Sequence, residues 1–323
     1  MGLQTTTAVL ADVGGTNTRV AISHGPDLDR ESTKRFKNSE FNGIGDVLRA
    51  YLAESDAVPT AACVAVAGPV RDGAGQLTNI DWHIDRQSVS DATGAGVVSI
   101  LNDLQAQGHA LGRIAPEYLT AILPGKPAPD QSARLVIGVG TGMNAAPVFR
   151  LGNRTLVPPA EAGHTSLPVQ SEADLRLLDF LRRKHSGPGT EDVLSGRGFE
   201  QVHAWLCEED GAGSPLDAAE IMTRMEAGED RPRRAVEVFS RILGRVCGNL
   251  ALNTLPFGGI YLIGGVTRHF GPHLLDCGFA EAFRDKGRFS EFMDQFPVSL
   301  VTDDYAALSG CASHLTEQVE NPD

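Results

Sequence analysis

Residues 11–22 read Ala-Asp-Val-Gly-Gly-Thr-Asn-Thr-Arg-Val-Ala-Ile, and the reading of this stretch decides the fold. An apolar run, Ala8, Val9 and Leu10, enters it, and a second, Val20, Ala21 and Ile22, leaves it. The middle is a tight turn, Gly14-Gly15-Thr16-Asn17. Two strands joined by such a turn present backbone N–H groups to an anion, and glycine lets the anion come close. Asp12, just before the glycines, is placed to hold a Mg²⁺-bound water near phosphates. One such turn is weak evidence. A second lies at 135–148, Leu-Val-Ile-Gly-Val-Gly-Thr-Gly-Met-Asn-Ala-Ala-Pro-Val. Two phosphate-type hairpins half a fold apart point to a two-lobed nucleotide clamp, and their echo hints at an old duplication.

Outward from the first turn, strand and helix signals alternate. Strands are expected near 6–12, 18–23, 61–68 and 97–101. A helix is expected near 41–54, with Ile44, Val47, Leu48 and Tyr51 on one face. Pro124–Asp130 is a loop. From 171 the pattern becomes helical. Ser171 with Asp174 resembles a capping box, for a helix running to about 184 before Gly187-Pro188-Gly189. A further loop spans 209–215. Residues 232–254 read as the longest helix, with Val236, Phe239, Leu243, Val246 and Leu250 in one apolar stripe that serves core or a subunit contact. Gly258–Gly265 is a buried strand followed by a Gly turn into a helix, where backbone can lie flat against a ligand. A last strand near Val298–Val301 precedes a helix at 305–317.

The 323 residues suffice for two domains, and 41% are hydrophobic, so a substantial core is available. A formal net charge of −13, without any long acidic run, describes an acidic, soluble surface. It argues against nucleic acid as the main partner, because phosphate-backbone binding needs a basic face. ATP remains compatible, since local N–H groups and Mg²⁺ outweigh a global charge. Five scattered cysteines without a CxxC pair favour a reducing compartment and speak against structural zinc; they read as buried small hydrophobes. No apolar run reaches membrane-spanning length and no basic-then-apolar leader opens the chain, so the expected location is the cytoplasm.

Four polar clusters then need a reason. Asn102 and Asp103 follow the apolar run Val97–Leu101, at a strand's carboxyl end, where open α/β folds bind ligands. Glu161 and His164 lie in Pro159-Ala-Glu-Ala-Gly-His164. Glu191 begins Glu-Asp-Val-Leu-Ser-Gly196, read as a helix start. Thr78-Asn79 stands before Trp82. Acceptor and amide groups of this kind suit a hydroxyl-rich ligand, and buried polar groups left unpaired cost roughly 1–3 kcal/mol each. Plainer roles exist for each. Asp12 serves as a turn former, Asp103 as the N-cap of a helix at 104–111, and Glu191 as a first-turn acid. His164 serves as hydrogen-bonded scaffold or half of a metal pair.

In order and spacing, these pieces resemble the ATP-dependent bacterial glucokinases of the hexokinase–actin ATPase superfamily. The resemblance runs from Val9 to about Leu315. Beyond the stretches already quoted it includes Leu101-Asn-Asp103, Gly248-Asn-Leu-Ala-Leu-Asn253, Gly264-Gly265 and Phe283-Arg-Asp-Lys-Gly-Arg-Phe289. It implies an α/β, two-domain actin-like ATPase (ribonuclease H-like) fold with a cleft between domains. The small domain would be 1–103 with 301–323, and the large one 104–300. It implies transfer of the γ-phosphoryl of ATP to the 6-hydroxyl of D-glucose, with Mg²⁺ and without zinc. Asp103 resembles the catalytic base; Asn79, Asn102, Glu161, His164 and Glu191 resemble the residues that hold the other sugar hydroxyls. Asp12 resembles the acid that positions Mg²⁺ through water. Gly14, Gly15, Thr16 and Asn17, with Gly138, Gly140, Thr141 and Gly142, resemble the phosphate hairpins. Gly264 and Gly265 resemble the adenosine-binding turn. A homodimer is implied as well.

Three stretches depart from the family pattern. Met143-Asn144 stands where an aliphatic residue and Gly are usual, and Asn is expected to keep the turn because it tolerates left-handed backbone. Ala160 and Ala162 flank Glu161 where Gly is frequent, adding two methyls beside the sugar acid. Gly265-Val-Thr-Arg-His269 replaces a common Pro-Arg pair. These departures leave room for a broader hexose kinase, acting on mannose or fructose. A non-catalytic sugar-binding regulator would need a DNA-binding segment for which 1–6 leaves no room. An actin-type filament former would have no use for the sugar cluster.

Overall fold

The structure, a computed structural model, describes residues 6–77 and 80–320. It divides into two compact units. The first is built from the chain up to Ala115, Val148–Pro159 and the segment from Asp303 onward; the second from Pro116–Pro147 and Ala160–Thr302.

The first unit opens with β1 (Thr7–Val13), β2 (Asn17–His24) and β3 (Asp27–Lys37), then α1 (Ile44–Ala53) and β4 (Ala61–Val66). Three short strands follow, β5 (Val70–Arg71), β6 (Ala74–Gln76) and β7 (His83–Asp85), then α2 (Arg86–Thr93), β8 (Val97–Asn102) and α3 (Asp103–Ala110). The second unit contains β9 (Leu119–Leu123), β10 (Arg134–Val139) and the start of β11 (Met143–Leu151), whose far end pairs antiparallel with β12 (Arg154–Leu156) in the first unit. Then come α4 (Glu172–Arg182), α5 (Gly196–Glu209), α6 (Ala218–Glu226), α7 (Asp230–Thr254), β13 (Ile260–Ile263), α8 (Gly265–Phe270), α9 (Phe279–Arg284) and β14 (Val298–Val301). The last helix, α10 (Ala306–Glu320), returns to the first unit.

The main sheet of the first unit has the order β3-β2-β1-β4-β8, with β1, β4 and β8 parallel. Helices cover both faces, so β4 reads as an unbroken buried run, Ala-Ala-Cys-Val-Ala-Val. In β1 the side chains alternate. Val9, Ala11 and Val13 pack with Val47, Leu48 and Tyr51 of α1 and Val89 of α2. Ala8 and Leu10 pack with Ala106 of α3 and with Leu308, Cys311 and Ala312 of α10. The α3–α10 contact is close: a Cβ on Gly310 would lie 1.7 Å from the Ala106 carbonyl oxygen. This contact keeps α3 with the first unit, whereas the sequence-based division places the boundary at 103/104. Strand β3 carries no alternation to read. Its Asp-Leu-Asp-Arg-Glu-Ser-Thr-Lys-Arg-Phe-Lys is a charged edge strand, which discourages edge-to-edge pairing.

In the second unit the sheet order is β11-β10-β13-β14-β9, with β10, β13 and β14 parallel and β9 antiparallel. The stripe on α7 lies in the core: Val236, Phe239, Leu243 and Val246 are buried among residues such as Phe199, Phe270, Phe279 and Phe283, and Leu250 packs at its margin. At the start of α4, Ser171 accepts the Asp174 N–H at 3.1 Å, and Asp174 accepts the Ser171 N–H at 2.9 Å, the reciprocal cap expected there. All five cysteines are buried and unpaired. Among the described residues no helix is long and apolar enough to cross a membrane.

Candidate active site

In the first unit the site residues gather at the carboxyl edge of the parallel strands. Asp12 is level with Ala65 of β4, and Ala65 with Leu101 of β8, so Asp12 and the Asn102–Asp103 pair share one edge. Two strand spacings separate β1 from β8, roughly 10 Å. Asp12 also shares the face of Ala8 and Leu10, toward α3 and α10. Removal from water there pushes its carboxyl above the usual carboxylate range, against a smaller pull from Arg19, its cross-strand partner. A single desolvated carboxylate suits Mg²⁺, which binds through one or two carboxylates plus substrate phosphates and keeps several waters.

The turn beyond Asp12 is pinned by a residue that the sequence did not single out. Asn38 donates from Nδ2 to the Gly14 carbonyl at 2.7 Å and from its backbone N–H to the Thr16 carbonyl at 2.9 Å. Its Oδ1 accepts the Thr18 hydroxyl at 2.8 Å in a buried contact. Gly14 N–H closes the turn onto the Asn17 carbonyl at 3.0 Å. Nothing local marks Asn38, because its partners lie about twenty residues upstream.

At the end of β8 the capping role belongs to Asn102, not Asp103. Asn102 Oδ1 accepts the Leu104 N–H at 3.0 Å, and Gln105 Oε1 accepts the Asn102 N–H at 3.2 Å. Asn102 Nδ2 donates to the Gly68 carbonyl at 2.9 Å, which orients the amide. Asp103 is the first residue of α3; its Oδ1 accepts the Leu104 N–H at 2.8 Å. Asn79 lies outside the described residues.

In the second unit the turn Gly140-Thr141-Gly142 joins β10 to β11, and four segments converge on it. Gly196, the first residue of α5, donates its N–H to the Gly140 carbonyl at 3.0 Å. Gly264 sits on the end of β10 at φ +113, where a Cβ would lie 2.4 Å from the Val139 carbonyl oxygen. Gly138 pairs in register with Ile263, so the Gly264-Gly265 turn follows the strand beside the hairpin. Glu191 Oε2 accepts the Met143 N–H at 2.8 Å, and a Cβ on Gly142 would collide with that carboxylate. Gly163 packs against the Met143 carbonyl, where a Cβ would lie 2.0 Å away. In contrast, a Cβ on Gly140 or Gly265 would meet nothing within 4 Å. Bare backbone facing open space is what a phosphate or a nucleoside needs for close approach.

Glu191 departs from the sequence reading. It lies in a 3₁₀ turn, Thr190–Asp192, while the helix begins at Gly196 behind the cap Ser195. Ser195 Oγ accepts the Gly198 N–H at 3.0 Å, so that hydroxyl, four residues beyond the expected helix start, sets where the helix begins. Glu161 and His164 are both exposed on the loop that precedes it. The loops bearing Glu161 and Glu191 are joined: Thr190 N–H donates to the Thr165 carbonyl at 2.9 Å, and Ser166 bridges Gly189. Asn144 is extended in β11 rather than left-handed; the described non-glycine residues at positive φ are Asp72 and Leu255. Its side chain binds the Glu161 loop instead, accepting the Ala162 N–H at 2.9 Å. Among the described residues no group of three or more His, Cys, Asp or Glu is placed to hold a metal ion.

A family profile described as Glucokinase matches residues 9–318. The glucokinase of Erwinia tasmaniensis is 33% identical over 313 residues, 96% of this chain and 97% of that one. The glucokinase of Chromobacterium violaceum is 33% identical over 314 residues, covering 96% and 90%. Among solved structures, a glucokinase from an Antarctic psychrotroph aligns with TM-score 0.84 at 31% identity, over 95% of this chain and 98% of that one. A ROK hexokinase from Thermus thermophilus, TM-score 0.69 at 22% identity over 98% and 100%, shares the fold. The architecture is thus the two-domain actin-like ATPase fold, and the chain belongs to the glucokinase family of ATP-dependent sugar kinases.

Proposed function

We propose that this chain transfers the γ-phosphoryl group of ATP to the 6-hydroxyl of D-glucose, with Asp103 as the general base. The observation that carries the reading is the docking of two acidic loops on the second hairpin. Glu191 accepts from Met143, and the Glu161 loop packs on Met143 and Asn144. An ATPase without a sugar has no use for two carboxylates beside a phosphate turn. A carboxylate has about four acceptor sites, so Glu191 can hold Met143 and a sugar hydroxyl at once.

The chemistry follows from phosphoryl transfer, which needs positioning and charge stabilisation more than covalent help. Asp103 takes the proton of the 6-hydroxyl as that oxygen attacks phosphorus; a placed base contributes about 10²- to 10⁴-fold. Asn102, Asn79, Glu161, His164 and Glu191 hold the remaining hydroxyls. The backbone of Gly14, Gly15, Thr16 and Asn17, and that of Gly138, Gly140, Thr141 and Gly142, receives the phosphates. Gly264 and Gly265 receive the adenosine. Asp12 would hold Mg²⁺, and the ion would supply charge neutralisation for the phosphoryl group; zinc has no part in the reading. A cytoplasmic homodimer belongs to the same reading, supported by the family resemblance.

The test is sugar-dependent ADP release with Mg·ATP across glucose, mannose, fructose, glucosamine, N-acetylglucosamine and no sugar. Release with glucose well above every other sugar is expected. Mannose or fructose turning over better than glucose would replace glucose by that hexose. No release with any sugar, while glucose still protects the fold against heat, would leave a sugar-binding regulator.

A further inference from the structure

We propose that Asn144 is a positioning residue for Glu161, joining the phosphate turn to the sugar loop. The proposal rests on the assignment of Glu161 to a sugar hydroxyl. Its basis is a pattern of three hydrogen bonds from one primary amide. Asn144 Nδ2 donates to the Ala160 carbonyl at 2.5 Å. Its Oδ1 accepts the Ala162 N–H at 2.9 Å and the Ala145 N–H at 2.7 Å. The first two partners are the residues on either side of Glu161, so the amide grips the backbone around that acid as a neighbouring strand would. The orientation of the amide is fixed by chemistry. Turned over, the NH₂ group would face two N–H donors and the oxygen would face a carbonyl.

The grip has a matching surface behind it. Gly163 lies against the Met143 carbonyl with no space for a Cβ, so the loop is seated on the two residues Met143 and Asn144 together. Glu161 is exposed, and its carboxylate makes no hydrogen bond or ion pair among the described residues. Its direction is therefore set by its backbone, which Asn144 holds. Two departures that read separately in the sequence, Asn144 in the turn and alanines around Glu161, are thus one physical feature. Alanines restrict the loop more than glycines do, and the asparagine amide supplies a partner for the conformation they adopt.

The test is a double-mutant cycle on the full-length chain. Sugar and ATP KM, kcat and the ligand-free thermal midpoint are measured for Asn144→Ala, Glu161→Gln and the double variant. The hexose is the one that the unaltered chain turns over best. Asn144→Ala is expected to raise the hexose KM about tenfold, as the loss of about 1.4 kcal/mol of hydrogen bonding would, and to leave the ATP KM within about twofold. In the Glu161→Gln background the same change is expected to add less than about twofold, because its effect passes through Glu161. Asn144→Asp keeps both acceptor contacts but sets a carboxylate oxygen against the Ala160 carbonyl. Its hexose KM is expected to fall toward that of the unaltered chain as the pH is lowered and the carboxyl protonates; this variant also serves if Asn144→Ala does not fold. A rise in ATP KM with the hexose KM unmoved would overturn the proposal, as would equal rises in both backgrounds. Absence of turnover with every hexose by the unaltered chain would instead remove the kinase reading, and with it the premise.

Discussion

The two glycine hairpins are similar as sequence and differ in what holds them. The first carries its own acid, Asp12, and is pinned by one side chain of its own unit, Asn38. The second carries no acid and is held by four segments, at Gly196, Gly264, Glu191 and the Asn144-bound loop. A phosphate turn needs little more than bare N–H groups, so its neighbours are free to take other tasks. In the first unit the neighbours are Asp12 and the Asn102–Asp103 pair, on one sheet edge, with Asp12 and Asp103 the proposed reacting groups. In the second they are Glu191 and the Glu161 loop, the proposed sugar acids. On the proposed roles, the phosphoryl-transfer groups surround the first hairpin and the sugar-binding acids surround the second, with the amide Asn102 as a sugar contact beside Asp103.

The largest effect expected from this division is at Asp103. Asp103→Asn should lower kcat by about 10²- to 10⁴-fold while glucose binding, measured by calorimetry, stays within about twofold. Near-normal turnover would take the base role from Asp103 and break the division on its chemical side.

A smaller effect concerns what Asp103 stands on. Helix α3 rests on α10 through His109 and His314, whose rings are 4.7 Å apart. Burial pushes His109 down to about 3, with His314 adding to the shift, and pushes His314 down to about 4, with the Arg86 charge adding. Ser99 Oγ lies 3.2 Å from His314 Nε2. Both imidazoles are neutral when folded and protonate near pH 6.5 when unfolded, so acid favours the unfolded chain. Their contribution to stability is present above about pH 6.5 and is lost progressively as pH falls toward about 3 to 4. Urea unfolding should show a loss of about 2 kcal/mol between pH 7 and pH 5.5, with amide exchange rising first in α3 and α10. A flat profile, or exchange rising first around α7, would contradict an acid-sensitive support specific to the first unit.

The comparison also marks what a sequence can disclose. The β1–β2 turn, the Ser171 cap, the α7 stripe and the last strand and helix are local patterns: alternation, a hydroxyl three residues before an acid, a 3.6-residue period. All were legible. The grip of Asn144 on residues sixteen and eighteen positions away was not, although the residue stood out as a departure. Nor was Asn38, or the attachment of α3 to a helix two hundred residues downstream. Glu191 misled for a physical reason. Thr-Glu-Asp-Val has the composition of a first helical turn, but Ser195 is the better cap, and the Met143 N–H gives the carboxylate a partner elsewhere. Periodicity records which face is buried, not which segment buries it.

The most direct test of the division is the kinetic cycle of Asp103→Asn, Glu161→Gln and the double variant, read as kcat/KM for glucose. Groups serving separate tasks should combine multiplicatively, so the double variant should fall to the product of the single losses, within about 0.5 kcal/mol. A double variant no worse than Asp103→Asn alone would contradict the account, because chemistry and sugar recognition would then act as one unit.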